Sequence, residues 1–221
     1  MLQKSMASFC MMACVTFFSS AAAAGNFSFT GSFNQDDEIQ LINFVLTAPT
    51  TVTLRSYSYG GGTQADGNIV VAGGFDPVLA VFDFQGDFVV QQEDAPIGTV
   101  TPDPNGNEWD VYLQLALPAG EYFLAITQYD NLTEGNFPGG NFSNGFDRQG
   151  TGNFTGTVFN CSNLMFCDFD DNNRTSQWAF DILGADLAST STIVVPTNVP
   201  FLPIWAMGAL ALALVGIRRA R

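Results

Sequence analysis

The chain has 221 residues, enough for one domain of ordinary size, and it holds 21 Asp and Glu, seven Lys and Arg and no histidine. All 21 acids lie between Asp36 and Asp186, where the only basic residues are Arg55, Arg148 and Arg174, so this body carries a formal charge of −18. Such a field repels nucleic acid and anionic lipid and excludes both as partners, while it favours solubility and attracts divalent cations. The N-terminus reads as a processing segment. Lys4 is followed by the apolar run Met6–Phe18, too short to span a bilayer, and by "SSAAAAG", with small residues at Ala22 and Ala24. That pattern predicts a secretory signal peptide over residues 1–24, a substrate for signal peptidase.

From Gly25 onward the hydrophobic period is two. In "WDVYLQLAL", Trp109, Val111, Leu113, Leu115 and Leu117 share one face. "YFLAITQY" then sets Tyr122, Leu124 and Ile126 on one face, and with "PAGE" between the two runs a hairpin is expected. Other expected strands are Phe27–Phe33, Ile39–Thr47, Thr51–Tyr57, Val78–Asp83, Asp87–Gln91, Phe154–Phe159 and Gln177–Leu183. No stretch between Gly25 and Ala188 sustains helical periodicity over three turns, and the 22 glycines and the Asn/Asp-rich breaks sit where turns are wanted. Many short half-polar strands imply antiparallel sheets in a sandwich or barrel over residues 25–188.

Two breaks are long. Tyr59–Pro77 is one, and Tyr129–Gly156 is the other; the second repeats Gly-Asn-Phe three times. Loops of this length are uncommon in compact domains. The phenylalanines are expected to tuck beneath the loop as a small second core rather than to stack on sugars.

Once the signal is removed, Cys161 and Cys167 are the only cysteines. An even pair in an exported chain predicts a disulfide closing "CSNLMFC"; two thiolates without histidine make zinc the weaker reading. Next comes "DFDDNN", which offers Asp168, Asp170 and Asn172 at alternate positions, a spacing of hard oxygens that suits calcium. It is not an EF-hand, because Asn173 and Ala179 stand where Gly and Glu would be needed. Asp76 with Asp83, and Glu93 with Asp94, are further oxygen clusters; turn formation is the simpler reading for all of them.

The mature body has neither His nor Lys, which removes the usual general base, Ser–His and Cys–His pairs, and Schiff-base lysines. No phosphate loop and no Gly-x-Ser-x-Gly is present. The expectation is therefore no enzyme and no obligatory cofactor, with Ca²⁺ as the one candidate. A two-carboxylate glycoside hydrolase is the chemical alternative, but 21 acids always offer some pair.

"GGFDPVLAVFDFQGDFV", then "ED" and "LPAGEYFLAITQYD", resembles the bacterial pre-peptidase C-terminal domain. "QDDEIQLINF", "WDVYLQL", "FCDFDDNNRT" and "WAFDI" are similar to a group of secreted bacterial proteins that commonly carry sorting tails of the PEP-CTERM type. The resemblance implies a jelly-roll-like antiparallel β-sandwich with an accessory secreted role; it implies no established activity, so no catalytic residues carry over from it.

A Ser/Thr/Pro linker is expected over 189–200. Residues 201–217 are uncharged and apolar, the lower limit for one transmembrane helix. Pro200 and Pro203 fall at its start and Trp205 at an interface, while Arg218, Arg219 and Arg221 form a cytoplasmic stop in the tail 218–221. Together with Val195, Pro196 and Thr197 these residues resemble the three-part signals read by exosortases, although Pro-Glu-Pro is absent. The sequence thus predicts a protein held transiently in the inner membrane, then released to the cell surface or a biofilm matrix. There it would serve as a structural or binding module, with polysaccharide as a candidate partner. A calcium- or carbohydrate-binding adhesin-like domain is the alternative.

Overall fold

A computed structural model describes residues 24–191. The signal segment lies outside the described residues, as do Val195, Pro196, Thr197, Pro200, Pro203, Trp205 and the three terminal arginines. Among the described residues no helix is long and apolar enough to cross a membrane, and the expected span 201–217 is not among them.

The chain is all-β. Its strands are β1 (Gly25–Ser32), β2 (Gln40–Leu46), β3 (Thr50–Ser56), β4 (Gly62–Thr63), β5 (Ile69–Val70), β6 (Pro77–Asp83), β7 (Phe88–Gln92), β8 (Tyr112–Leu117), β9 (Gly120–Gln128), β10 (Gln177–Ala185) and β11 (Leu187–Ser191). Four strands form one sheet in the order β1-β10-β3-β8; five form a second in the order β11-β2-β9-β6-β7; β4 and β5 make a small ribbon. Every ladder between these strands is antiparallel.

Both large sheets send apolar side chains into one core. Val52, Leu54, Phe180 and Ile182 come from the four-stranded sheet; Ile42, Phe44, Leu79, Val81, Leu124 and Ile126 come from the five-stranded one. Alternation explains which residues these are, because i and i+2 share a face of a strand. Each such burial contributes about 1.5–3 kcal/mol.

Strand β6 departs from alternation, reading Pro-Val-Leu-Ala-Val-Phe without a polar break. The reason is a second cluster on the far side of the five-stranded sheet. Ala80, Phe82, Leu41 and Ala125 meet Phe142 and Phe146 from the long Gly-Asn-Phe loop. Phe142 stands edge-on to Phe82 and Phe123 with centroids 5.3 and 5.2 Å away. The loop phenylalanines do form the expected satellite core, though Phe137 stays half-exposed.

Three expectations need correction. β8 and β9 are not a hairpin: β8 pairs with β3, whereas β9 pairs with β2 and β6 in the other sheet. Pro118 and Ala119 carry the chain across, and the Tyr122 hydroxyl donates to the Pro118 carbonyl at 3.0 Å to brace the crossing. Alternation marks the buried face of each strand, and two inward faces serve equally well from opposite sheets. Secondly, Phe154–Phe159 is not a strand. Residues Thr155–Val158 form a single helical turn, α1. The buried Asp36 carboxylate accepts the Phe154 and Thr155 N–H groups at 3.1 and 2.8 Å, satisfying donors that a helix start leaves free. Thirdly, β11 takes in Ser189–Ser191, the first residues of the expected linker, by pairing with β2.

Candidate functional site

The calcium candidates Asp168, Asp170 and Asn172 lie in one of two loops built alike. Asp103–Asn107 and Asp168–Asn172 each begin with an aspartate whose Oδ1 accepts the N–H groups two and four residues on. The distances are 2.9 and 2.9 Å in the first loop and 3.0 and 2.9 Å in the second. In both, the backbone of the first and fifth residues pairs, and the fourth residue has positive φ, 93° at Gly106 and 59° at Asp171. Asp and Asn favour these turns because their side chains mimic a backbone acceptor.

Arg174 locks the two loops together. Its Nη2 donates to Asp103 Oδ2 at 2.7 Å and its Nε to Asp168 Oδ2 at 2.6 Å. The guanidinium carbon lies 3.7 Å from the centre of the Tyr59 ring, and the Tyr59 hydroxyl donates to Asp168 Oδ2 at 2.8 Å. All three charged side chains are at most 5 % exposed. Burial pushes the Asp168 carboxylate up, but the Asn172 N–H, the Tyr59 hydroxyl and Arg174 outweigh it and hold the group below its ordinary range. Asp103 is held down in the same way, with Arg174 the strongest of the donors that oppose its burial. Burial pushes the Tyr59 hydroxyl up.

These contacts occupy the expected metal ligands. Asp168 has donors on both oxygens, Asp170 Oδ2 accepts from Asn107 Nδ2 at 3.1 Å, and Asn172 Oδ1 accepts from Asn105 Nδ2 at 3.3 Å. Among the described residues no three Asp, Glu, His or Cys side chains converge so as to hold a metal ion. Immediately before this loop, Cys161 and Cys167 form the expected disulfide. The Cys167 N–H donates to Thr155 Oγ1 at 3.2 Å, tying the disulfide loop to α1.

A second set of polar groups is not so well satisfied. Strand register brings it together: Tyr129 N–H donates to the Asp76 carbonyl at 2.8 Å, Pro77 pairs with Gln128, and Leu79 pairs with Gln92, the residue just before Glu93 and Asp94. The ends of β9, β6 and β7 therefore place Tyr129, Asp76 and Glu93–Asp94 side by side. Asp83, grouped with Asp76 in the sequence, instead opens its own turn by accepting the Gln85 and Asp87 N–H groups.

Asp76 is 4 % exposed and its Oδ1 has no donor; Gln128 is 0 % exposed and neither atom of its amide is paired. Burial pushes the Asp76 carboxyl well above its ordinary value, and the charges of Asp94, Asp110 and Asp168 add to the shift while that of Arg174 opposes it. Burial also raises Glu93, aided by Asp94. The Tyr129 hydroxyl is raised by burial and by Glu93, Asp76, Asp130 and Asp94. Beside Tyr129 the aromatic surface continues. Its ring lies nearly parallel to Phe159, 6.0 Å away, and Phe169 stands at 71° to Phe159, 6.2 Å away and 71 % exposed. Sequence reasoning found the acids Asp76, Glu93 and Asp94 but not this corner, since Tyr129, Phe159 and Phe169 come from three separate segments without periodicity.

No protein-family model matches the chain, and no curated protein sequence matches it.

Proposed function

We propose that the chain is an exported, non-enzymatic β-sandwich, trimmed at both ends and delivered to the cell surface or an extracellular matrix as a structural or binding module. The Cys161–Cys167 disulfide carries this reading, because a persistent pair of oxidised cysteines belongs to an oxidising compartment. The strand order β1-β10-β3-β8 against β2-β9-β6-β7, with β11 added at one edge, supports a jelly-roll reading of the two sheets. Of the six buried acids among the described residues, five are tied into turns, caps or ion pairs, Asp36 at α1, Asp110 on Ser56 and Gly60, Asp181 on Tyr57 and Ala65, and Asp103 and Asp168 on Arg174, while Asp76 alone is not. Carboxylates so engaged are poor acids or bases for glycoside hydrolysis.

In this reading the tail 195–221 is a sorting signal. Val195, Pro196 and Thr197 mark the region of cleavage by an exosortase-type enzyme, and the apolar run with Arg218, Arg219 and Arg221 holds the chain in the inner membrane until then. Intact-mass spectrometry of the native protein from producing cells tests both ends at once. The expected mass lacks roughly the first 24 residues and everything beyond the Val195–Thr197 region, with the cysteines oxidised. Mature protein outside the cell that retains Arg221, or carries free thiols, would contradict the proposal.

A further inference from the structure

Two Asp–Pro peptide bonds occur in this chain, Asp76–Pro77 and Asp103–Pro104. A bond of this kind carries its own cleavage chemistry. The aspartyl side chain can close a five-membered ring on the carbonyl carbon of its own residue, an intramolecular attack with a high effective concentration. The tertiary amide nitrogen of proline is more basic than an ordinary peptide nitrogen and takes up a proton as it leaves. The reaction needs the acid form of the side chain, which supplies that proton, and an oxygen free to turn toward the carbonyl.

Both aspartates are buried, and both backbone carbonyls accept an N–H, that of Asp76 from Tyr129 at 2.8 Å and that of Asp103 from Gly106 at 2.9 Å. The side chains differ. Asp103 Oδ1 accepts the Asn105 and Asn107 N–H groups, each at 2.9 Å, and Oδ2 accepts Arg174 Nη2 at 2.7 Å. These donors fix its orientation and hold it charged. Asp76 is 4 % exposed and its Oδ1 has no donor. Burial favours its neutral acid, and the charges of Asp94, Asp110 and Asp168 act in the same sense, against Arg174. Tyr129 and Glu93, both raised by burial, bring no positive charge to this end of β9 and β7.

We infer that in mild acid this protein cuts its own backbone between Asp76 and Pro77. The inference does not depend on export or sorting. In the first step an oxygen of the Asp76 carboxylic acid adds to the Asp76 carbonyl carbon, while the Tyr129 N–H supports the negative charge that grows on the carbonyl oxygen. The C–N bond to Pro77 then breaks with its electron pair on nitrogen, and the acid proton goes to that nitrogen. The products are a cyclic anhydride at Asp76 and a free amine at Pro77. No water is consumed, so burial does not stop this step. Water afterwards opens the anhydride and leaves two carboxyl groups on Asp76, so the net change is hydrolysis of one peptide bond.

The fold tolerates the break. Pro77 is the first residue of β6, and proline has no N–H to give to the ladder. Strands β1 to β5 fall on one side of the cut and β6 to β11 on the other. The ladders of β1 and β3 with β10, of β3 with β8, and of β2 with β9 and β11 still join the two pieces. Cys161 and Cys167 both lie in the second piece, so their disulfide does not link it to the first. The product is a two-chain protein held together by its sheets.

The test is a time course on the full chain, folded in neutral detergent near pH 5 and near pH 7, beside a sample unfolded in guanidinium chloride, read by mass spectrometry of the denatured products. An ordinary aspartate is only about a tenth protonated near pH 5. The folded chain near pH 5 is therefore expected to be cut at Asp76–Pro77 at least about tenfold faster than at Asp103–Pro104, whereas the unfolded chain is cut at similar rates at both bonds. Asp76→Asn removes the acid proton and Pro77→Ala the basic leaving nitrogen, and each is expected to slow the cut by about tenfold or more. In water labelled with heavy oxygen, label is expected in the Asp76 side chain as well as in the new terminal carboxyl, because the anhydride opens at either carbonyl. Label confined to the terminal carboxyl means direct hydrolysis and overturns the proposal. So does a folded chain that stays intact near pH 5, or one cut equally fast at the two Asp–Pro bonds.

Discussion

Asp168 and Asp76 show how the same side chain can hold the fold together or strain it, depending on its donors. Asp168 has an N–H, a hydroxyl and a guanidinium, so its folded pKa lies below the unfolded value of about 3.9. Its contribution is fully present above that unfolded value and is lost as pH falls through the folded one. Asp76 has no donor on Oδ1 and a folded pKa well above the same reference. For a raised carboxyl the native state binds the proton more readily, so the penalty is present at neutral pH and disappears as pH falls to the unfolded value. Two isosteric variants should therefore move in opposite directions. At pH 7, Asp76→Asn is expected to stabilise by on the order of 1–3 kcal/mol. Asp168→Asn leaves Arg174 short of a counter-charge and should cost about 3–5 kcal/mol. Urea denaturation at pH 7 and near pH 4 checks both, and the gain from Asp76→Asn should vanish at the lower pH.

Among the elements, the long strands were legible because burial imposes period two on them. β1, β2, β3, β6, β7 and β10 fall within one or two residues of the expected bounds. Partnership was not legible, as β8 and β9 demonstrate: their two-residue link crosses between sheets, and no local pattern distinguishes that from a tight hairpin. The two-residue strands β4 and β5 are too short to show any period. The acids were visible as clusters, but their roles depend on Arg174, whose partners lie six and 71 residues away in sequence. A sharper signal was available in the spacing Asp-x-x-Gly-x, which recurs at Asp83–Asp87 and Asp103–Asn107 and reappears with Asp171 in place of Gly at Asp168–Asn172. Gly106 has φ 93° and nothing within 4 Å of where a Cβ would stand. Gly106→Ala should thus cost only the backbone term, about 1–2 kcal/mol. At Gly60 an added Cβ would come 1.8 Å from the Thr101 carbonyl oxygen, so Gly60→Ala should be far more damaging. Comparing the two melting temperatures separates backbone strain from collision.

Over the body from Asp36 to Asp186, 21 carboxylates against three arginines leave a shell of like charge around an apolar interior shared by two sheets. Two of the arginines are committed to acids. The third, Arg55, lies over Tyr57 and Tyr112, 4.8 and 5.9 Å from their ring centres. Little cation therefore remains to offset the self-repulsion, which opposes compaction and is relieved when the chain expands. Simple salt should relieve it in the folded state. The Debye length falls from about 30 Å at 0.01 M to about 8 Å at 0.15 M, shorter than the distances between most surface charges on a domain of this size. The melting temperature should therefore rise over that interval of sodium chloride. The buried Arg174 bridges, at most 5 % exposed, are shielded from solvent ions and should not be weakened to match. Thermal unfolding measured across the salt series decides the point: a flat or falling melting temperature would mean that the acids are already neutralised, by bound cations or by protonation.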